Sequence, residues 1–479
     1  MFVHQIYQST DPSHPLFLGE ANATYGDLRE SVHLYRNTLA AKGVKKGDRV
    51  GLYSANRAEF IYVYMAVVSL GAVIVPINNY LVSKEVSFIV SDAGIRLLIA
   101  DVPLESPAEL MSIQQLDQRA RTASDPEASP FPDDLTEDDV CSFVYTSGTT
   151  GSPKGAMLTH RNLTGNADQF NAVLPQTEED NILCILPMFH CYGWTTSIMN
   201  PISRGCSITV LRTKSPTEIV NAIIRYHVTV AFMVPPMYHL LARRGDPANM
   251  NSVRFFVSGG ACLPQPVAQA FIERYHRPVL EGYGLTEASP VVSVLPPRHI
   301  KYLSVGPALP GIQVKVLSED HTVCEPGVVG ELYVKGVNVM KGYWHKPEET
   351  ENVLSAGGWL RTGDLAYLDD ENYIYIVDRV KDLIIMNGEN IYPGEVESCL
   401  YEMNEISECA VIGHPDPLRG QAIWAYVVMK DGFDFNEDKI RRYLMKNLAA
   451  YKIPRRFIPM DALPKNPTGK ILKRVLRND

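Results

Sequence analysis

The sequence predicts an α/β protein, with a large N-terminal domain of parallel α/β sheets, a small β subdomain, and a small α+β C-terminal domain. Strand and helix patterns alternate over the first hundred residues, to about Asp101, as parallel sheets require. Gly327 to Trp344 instead alternates as half-buried strands, in Gly330-Glu331-Leu332-Tyr333-Val334 and Lys341-Gly342-Tyr343-Trp344. Beyond Asp382 the pattern mixes strands around Glu408–Gly413 and Trp424–Met429 with a helix from about Asn436 to Leu448. At 479 residues the chain exceeds what one core supports, so two or three domains are expected.

Composition narrows the function class. With 46% hydrophobic and 21% charged residues the chain reads as an ordinary globular protein. A net charge of -9 argues against a nucleic-acid backbone as the partner. Its eight cysteines form no CxxC pair, so neither a zinc site nor a disulfide framework is indicated, and reduced thiols in a cytoplasmic protein are the expectation. The first twenty residues carry His4, Asp11 and His14 and lack the charged-then-apolar order of a signal peptide.

In chain order, Thr24 caps an amphipathic helix running through Leu39, and Gly47 to Tyr53 is a turn feeding a buried strand. Phe60 to Ile77 is apolar enough to raise a membrane span on hydropathy alone. Gly71 sits where a helix from about Arg57 would end with a C′ glycine, and Val73-Ile74-Val75-Pro76 then reads as a buried strand, so no transmembrane segment is expected. Pro103 to Asp139, rich in Pro, Asp, Glu and Ser, reads as a surface connection with some helix. Val140 to Tyr145 is the next strand.

That strand delivers Tyr145-Thr-Ser-Gly-Thr-Thr-Gly-Ser-Pro-Lys-Gly-Ala-Met-Leu-Thr-His160, whose chemistry is that of an anion cradle. Gly148, Gly151 and Gly155 let backbone N–H groups converge, Thr146, Ser147, Thr149, Thr150 and Ser152 add short donors, and Lys154 adds a charge. It is not a Walker loop, because Lys154 follows proline and precedes glycine. Thr159 can cap the helix that begins at His160, which sets the segment between a strand and a helix.

The residue order of this stretch resembles the phosphate loop of the adenylate-forming enzymes, the group of acyl-CoA synthetases, luciferases and peptide-synthetase adenylation domains. The resemblance extends from about Thr24 to Lys470 and favours the acyl-CoA synthetase branch. It implies that Thr146, Ser147, Gly148, Thr149, Thr150 and Lys154 hold the phosphates of ATP, with Thr286 touching one of them. In Ser258-Gly259-Gly260-Ala261 the last three residues would line the adenine, and in Gly282-Tyr283-Gly284 the tyrosine would stack on it. Asp364, after Thr362-Gly363, would bind the ribose hydroxyls, which an ionised carboxylate can accept together, with Arg379 as its companion. Glu287 and Thr146 would hold Mg²⁺, a hard cation suited to oxygen ligands.

For the acid, the resemblance places His190, in Leu186-Pro187-Met188-Phe189-His190, beside the carboxylate, with Trp194 gating an acyl tunnel and Gly284 in the acyl pocket. Lys470, in Pro467-Thr468-Gly469-Lys470, would be the catalytic lysine, bridging the carboxylate and the α-phosphate. Gly388, in Met386-Asn387-Gly388-Glu389, would line the channel for the thiol. Because Lys470 and Gly388 lie on one small domain, that domain must be mobile. The implied division is 1–378 for the ATP- and acyl-binding domain, 379–382 for a hinge centred on Lys381, and 383–479 for the mobile domain.

The implied activity joins a carboxylic acid to CoA through an acyl-adenylate, consuming ATP with Mg²⁺. Phe189-His190 stands where amino-acid-activating relatives carry an aspartate, which disfavours amino acids. The apolar Met188–Met199 stretch favours a medium-to-long-chain fatty acid, with aryl acids second and an acyl carrier protein as the alternative acceptor. A homodimer is one possible assembly. Tyr80 departs from the proline many relatives keep there.

Overall fold

The computed structural model describes residues 1–19, 22–122, 131–146, 153–213, 215–244, 250–466 and 469–477. Two largely parallel sheets form the large domain. One has six strands in the order Glu109–Ser112, Leu97–Ala100, Arg49–Tyr53, Val73–Ile77, Val140–Thr146 and Lys154–Thr159. The other has eight, centred on the parallel strands Asn181–Cys184, Val230–Met233, Phe255–Ser258 and Val279–Gly284. An antiparallel sheet of four strands, Gln313–Leu317 to Ile374–Arg379, forms the β subdomain. The small domain is a five-stranded sheet flanked by the helices Pro393–Tyr401 and Glu437–Asn447.

Local chemistry sets the element ends. Thr24 and Asp27 form a reciprocal capping box on the helix Tyr25–Ala41, with the Thr24 hydroxyl accepting from Asp27 N at 3.2 Å and Asp27 Oδ2 accepting from Thr24 N at 2.7 Å. Thr159 and Asn162 repeat the device at the start of His160–Val173. The apolar run resolves into the helix Ala58–Ser69, Gly71 at φ +69°, and the strand Val73–Ile77. Its helix is buried on nearly every face, as expected of a core helix that is apolar all round. Among the described residues no helix is long and apolar enough to cross a membrane.

Two local readings are corrected. The connection after Pro103 contains a strand, Glu109–Ser112, paired parallel with Leu97–Ala100. It lies at the sheet edge with Glu109 and Leu110 exposed and only Met111 buried, so it lacks the apolar run of an inner strand. The anion-cradle stretch joins two antiparallel strands, with Thr146 opposite Lys154, so a strand intervenes before the helix at His160.

One apolar core runs through both parallel sheets and the β subdomain, from Val3 to Ile374. A separate core, Ile384 to Phe457, belongs to the small domain alone. The chain crosses between them at Val380–Asp382, a single 3₁₀ turn with no buried residue.

Candidate active site

A cavity of about 1150 Å³ lies where the small domain meets the large one. It opens beyond the carboxyl ends of the parallel strands, the position where open α/β sheets bind ligands. Thr146 and Lys154 line it from the hairpin. Ser147, Gly148, Thr149 and Thr150, expected to contact phosphate, lie outside the described residues, as do Pro467 and Thr468. Lys154 Nζ stands 3.9 Å from the Glu349 carboxylate and 5.3 Å from the centroid of the Tyr343 ring.

The strand Phe255–Ser258 delivers Gly259 and Gly260 to the cavity wall, whereas Ala261 is exposed and outside the lining. A Cβ at Gly259 would come within 2.9 Å of the Tyr192 ring, so this backbone approach requires glycine. The strand Val279–Gly284 carries Tyr283 and Gly284, and the 3₁₀ turn Thr286–Ala288 adds Thr286 and Glu287. At Gly284 a Cβ would meet the Pro290 carbonyl oxygen at 2.0 Å.

Asp364 and Arg379 face each other in antiparallel register, and Arg379 Nε lies 3.0 Å from Asp364 Oδ1. Tyr283 donates its hydroxyl to Asp364 Oδ2 at 2.5 Å. Burial, and then the Asp364 charge, hold that phenol well above its ordinary pKa, so it remains a donor. The Tyr343 hydroxyl likewise donates to Glu287 Oε1 at 2.7 Å.

His190 caps the short helix Cys191–Trp194, its Nδ1 accepting from Tyr192 N at 3.2 Å. Burial, reinforced by the nearby Lys470 charge, lowers its pKa to about 4. The imidazole is therefore neutral near pH 7, and with Nδ1 committed as acceptor its proton sits on Nε2, a donor for a carboxylate.

Lys470 reaches the same cavity from the other end of the chain. Gly469 turns at φ +84°, and Lys470 N donates to Asn466 Oδ1 at 2.8 Å. The surface Lys470 exposes is cavity wall, and burial in the cleft, followed by the Arg379 charge, lowers its pKa to about 8. Lys381 also lines the cavity, and its carbonyl accepts from Arg477, which pairs with Asp382 at 2.6 Å.

Four expected residues lie outside the cavity lining: Ala261, the buried Asp364 behind Gly363 and Arg379, and also Trp194 and Gly388. Trp194 is 4% exposed and stacked on Tyr64 at 3.8 Å between ring centroids, in the core and outside the cavity lining. Tyr192 and Thr196 of the same segment face the cavity instead, because successive helical residues point to different sides. Gly388, at φ +82°, is exposed at the tip of the hairpin Ile384–Met386 to Glu389–Ile391, and it too is outside the lining.

The structure also adds residues that the sequence reading passed over. Tyr343, read only as part of a strand, touches Glu287, and Cys191 Sγ lies 3.2 Å from the Thr286 hydroxyl. Phe170, Tyr192, Thr196, Val257, Val291 and Val294 contribute an uncharged part of the lining of the cavity that also holds His190. Its polar atoms are already committed: Thr196 donates to the Tyr192 carbonyl at 2.7 Å and Tyr192 to that of Val257 at 3.4 Å.

Residues 5–344 match the family model of the AMP-binding enzymes, and residues 395–470 match that of the AMP-binding enzyme C-terminal domain. The chain is 37% identical over 466 residues to feruloyl-CoA synthase from Amycolatopsis sp, covering 96% of this chain and 94% of the relative. It is 34% identical over 476 residues to the long-chain-fatty-acid–CoA ligase FadD13 of Mycobacterium tuberculosis, covering 96% and 93%. The crystal structure of ATP-bound MatB from Rhodopseudomonas palustris superposes with a TM-score of 0.93 at 30% identity, covering 100% of this chain and 99% of the other. The chain belongs to the AMP-binding enzyme family, in its acyl-CoA synthetase branch.

Proposed function

We propose that this protein activates an apolar carboxylic acid with ATP and transfers the acyl group to the thiol of CoA. The observation that carries the reading is the meeting of Lys470 and His190 in the cavity lined by Thr146, Tyr283, Glu287 and Arg379. In the first step a carboxylate oxygen attacks the α-phosphorus, the α–β phosphoanhydride bond breaks, and pyrophosphate leaves. Two anions approach in that step, so the barrier is electrostatic. Lys470 offsets the charge between carboxylate and α-phosphate, Lys154 draws on the departing phosphates, and His190 Nε2–H orients the acid. Asp364 holds the ribose and Tyr283 the adenine.

Thr146 and Glu287 supply one hydroxyl and one carboxylate. Among the described residues no group of three or more His, Cys, Asp or Glu forms a metal cage. That donor set suits Mg²⁺, which keeps water ligands and takes phosphate oxygens. When bound, Mg²⁺ supplies neutralisation of phosphate charge.

In the second step the thiol sulfur attacks the acyl carbon, the C–O bond to the adenylate breaks, AMP leaves and the thiol proton passes to water. Lys470 serves the first step and Gly388 the second. The domain arrangement described above places only Lys470 in the cavity, which supports a reorientation of residues 383–479 about 379–382 between steps.

The uncharged lining around Tyr192 favours an acid without a charged end, since its polar atoms are paired. Phe170 lines the cavity and is backed by Phe232 at 5.8 Å between ring centroids. We take a medium-to-long-chain fatty acid as the substrate. Aryl acids are the second reading, favoured by the aromatic walls Phe170 and Tyr192 and by the feruloyl-CoA synthase relative. An acid-dependent pyrophosphate-release screen over straight-chain and aryl acids, with CoA or a phosphopantetheinyl carrier protein then supplied, tests both. Release with neither class of acid contradicts the proposal, and AMP formation with the carrier protein alone reassigns the acceptor.

A further inference from the structure

Tyr343 occupies a junction that the proposed reaction does not yet use. The segment Lys341–Trp344 lies against the strand leaving the anion cradle, with Met157 N donating to Gly342 O at 2.9 Å and Trp344 N to Gly155 O at 2.8 Å. Tyr343 N is fixed separately by the Thr350 hydroxyl at 2.9 Å. The backbone at Tyr343 is therefore held on both sides, and the residue is only 8% exposed. Its hydroxyl donates to Glu287 Oε1 at 2.7 Å, and its ring centroid lies 5.3 Å from Lys154 Nζ.

We infer that Tyr343 is a positioning residue for the metal and phosphate groups of this site: its hydroxyl orients the Glu287 carboxylate and its ring steers the Lys154 ammonium. The inference rests on the reading of Glu287 as the Mg²⁺ carboxylate. One oxygen of Glu287 is taken by Tyr343, while Oε2 has no partner among the described residues. A carboxylate so tethered presents one defined oxygen to a cation and does not have to be ordered when the cation arrives. A phenol is protonated at neutral pH, so the hydroxyl is the donor of this bond. The ring face offers the lysine a cation–π contact. It competes with Glu349, 3.9 Å from Nζ, for the same ammonium. One side chain thus sets the direction of two groups that would act on the same phosphates.

The test separates hydroxyl from ring. Mn²⁺ binding to the protein–ATP complex, followed by electron paramagnetic resonance, gives a readout independent of turnover. It is paired with the free Mg²⁺ concentration that half-saturates acid-dependent pyrophosphate release. Tyr343→Phe keeps the ring and removes the donor, and it is expected to weaken Mn²⁺ binding and raise the Mg²⁺ requirement by about 10- to 100-fold, with KM for the acid unchanged. Tyr343→Leu, which also removes the ring, is expected to raise KM for ATP in addition. Wild-type Mn²⁺ affinity in Tyr343→Phe overturns the inference, as does wild-type protein that binds Mn²⁺ no more tightly than ATP alone. Failure of the wider reading looks different: wild-type protein then releases no pyrophosphate with any acid, whatever its Mn²⁺ affinity.

Discussion

The hydroxyl of Tyr283 and Oδ2 of Asp364 stand 2.5 Å apart, so the groups assigned to adenine and ribose are hydrogen-bonded to each other. On the proposed reading, ATP would exchange the tyrosine donor for ribose hydroxyls on a carboxylate that Arg379 contacts at 3.0 Å. Asp364→Ala is therefore expected to raise KM for ATP by about 1.5–3 kcal/mol, roughly ten- to a hundredfold, the value of hydrogen bonds to a charged group. Tyr283→Phe keeps the ring for stacking and removes a competitor for Asp364, so its KM for ATP should be unchanged or lower. Steady-state kinetics with ATP varied at saturating acid check both.

The role proposed for Lys470 predicts a pH dependence. Its pKa in the free protein is about 8, lowered chiefly by burial, so the ammonium is present below pH 8 and is lost as pH rises through it. Adenylation kcat/KM, which reports the free enzyme, should fall about tenfold per pH unit above pH 8. His190, at about 4, should contribute no inflection between pH 6 and 8. Lys470→Arg, whose guanidinium does not titrate in that range, should lack the alkaline limb in whatever activity it retains. Pyrophosphate release across pH 6–10 provides the measurement.

Substrate length should follow Phe170 and not Trp194. Phe170→Ala enlarges the cavity and is expected to move the kcat/KM preference toward longer acids by about 1–3 kcal/mol, ten- to two-hundredfold. Trp194→Ala empties a core site stacked on Tyr64, and is expected to cost about 3–5 kcal/mol of stability with the chain-length profile unchanged. A homologous series of straight-chain acids and a urea titration distinguish the two.

A buried histidine pair makes the fold acid-sensitive. His4 is stacked on Phe2 and Phe131 and lies 6.0 Å from the His160 ring, whose Nδ1 accepts from Val3 N. Burial, aided for His4 by the His160 and Arg36 charges, depresses their folded pKa values to about 3 and about 4 from 6.5. For a depressed histidine the unfolded chain takes up the proton first. The stability is therefore complete above pH 6.5 and is lost as pH falls toward 4, by about 2 kcal/mol for each histidine at pH 5. The thermal midpoint should fall between pH 7 and 5, and His4→Phe, which preserves the stack, should reduce the drop.

The sequence carried this fold wherever local chemistry decides it. Thr24 and Thr159 caps, Gly71 after an apolar helix and the β-branched run at Val73 are one-dimensional signals, and the helices and strand they mark are present. Placement across the chain is another matter. Trp194 and Tyr192 are two residues apart, and which of them faces a cavity depends on how their helix is rotated against the sheet, a property of packing. Glu109–Ser112 is a strand because a neighbour pairs with it, since its residues carry little strand preference. Tyr343 stands beside Gly342 in the sequence, yet only the approach of Thr286–Ala288 to the strand Lys154–Thr159 makes it a partner of Glu287.

The most direct test of the account is Lys470→Ala assayed in the two half-reactions separately. The account predicts that acid-dependent pyrophosphate release falls by about 100- to 1000-fold, as for loss of a transition-state charge partner. Transfer of the acyl group from a preformed acyl-adenylate to CoA should stay within a few-fold of wild type. Pyrophosphate release at the wild-type rate, or loss of both half-reactions alike in a protein that still binds ATP, would contradict it.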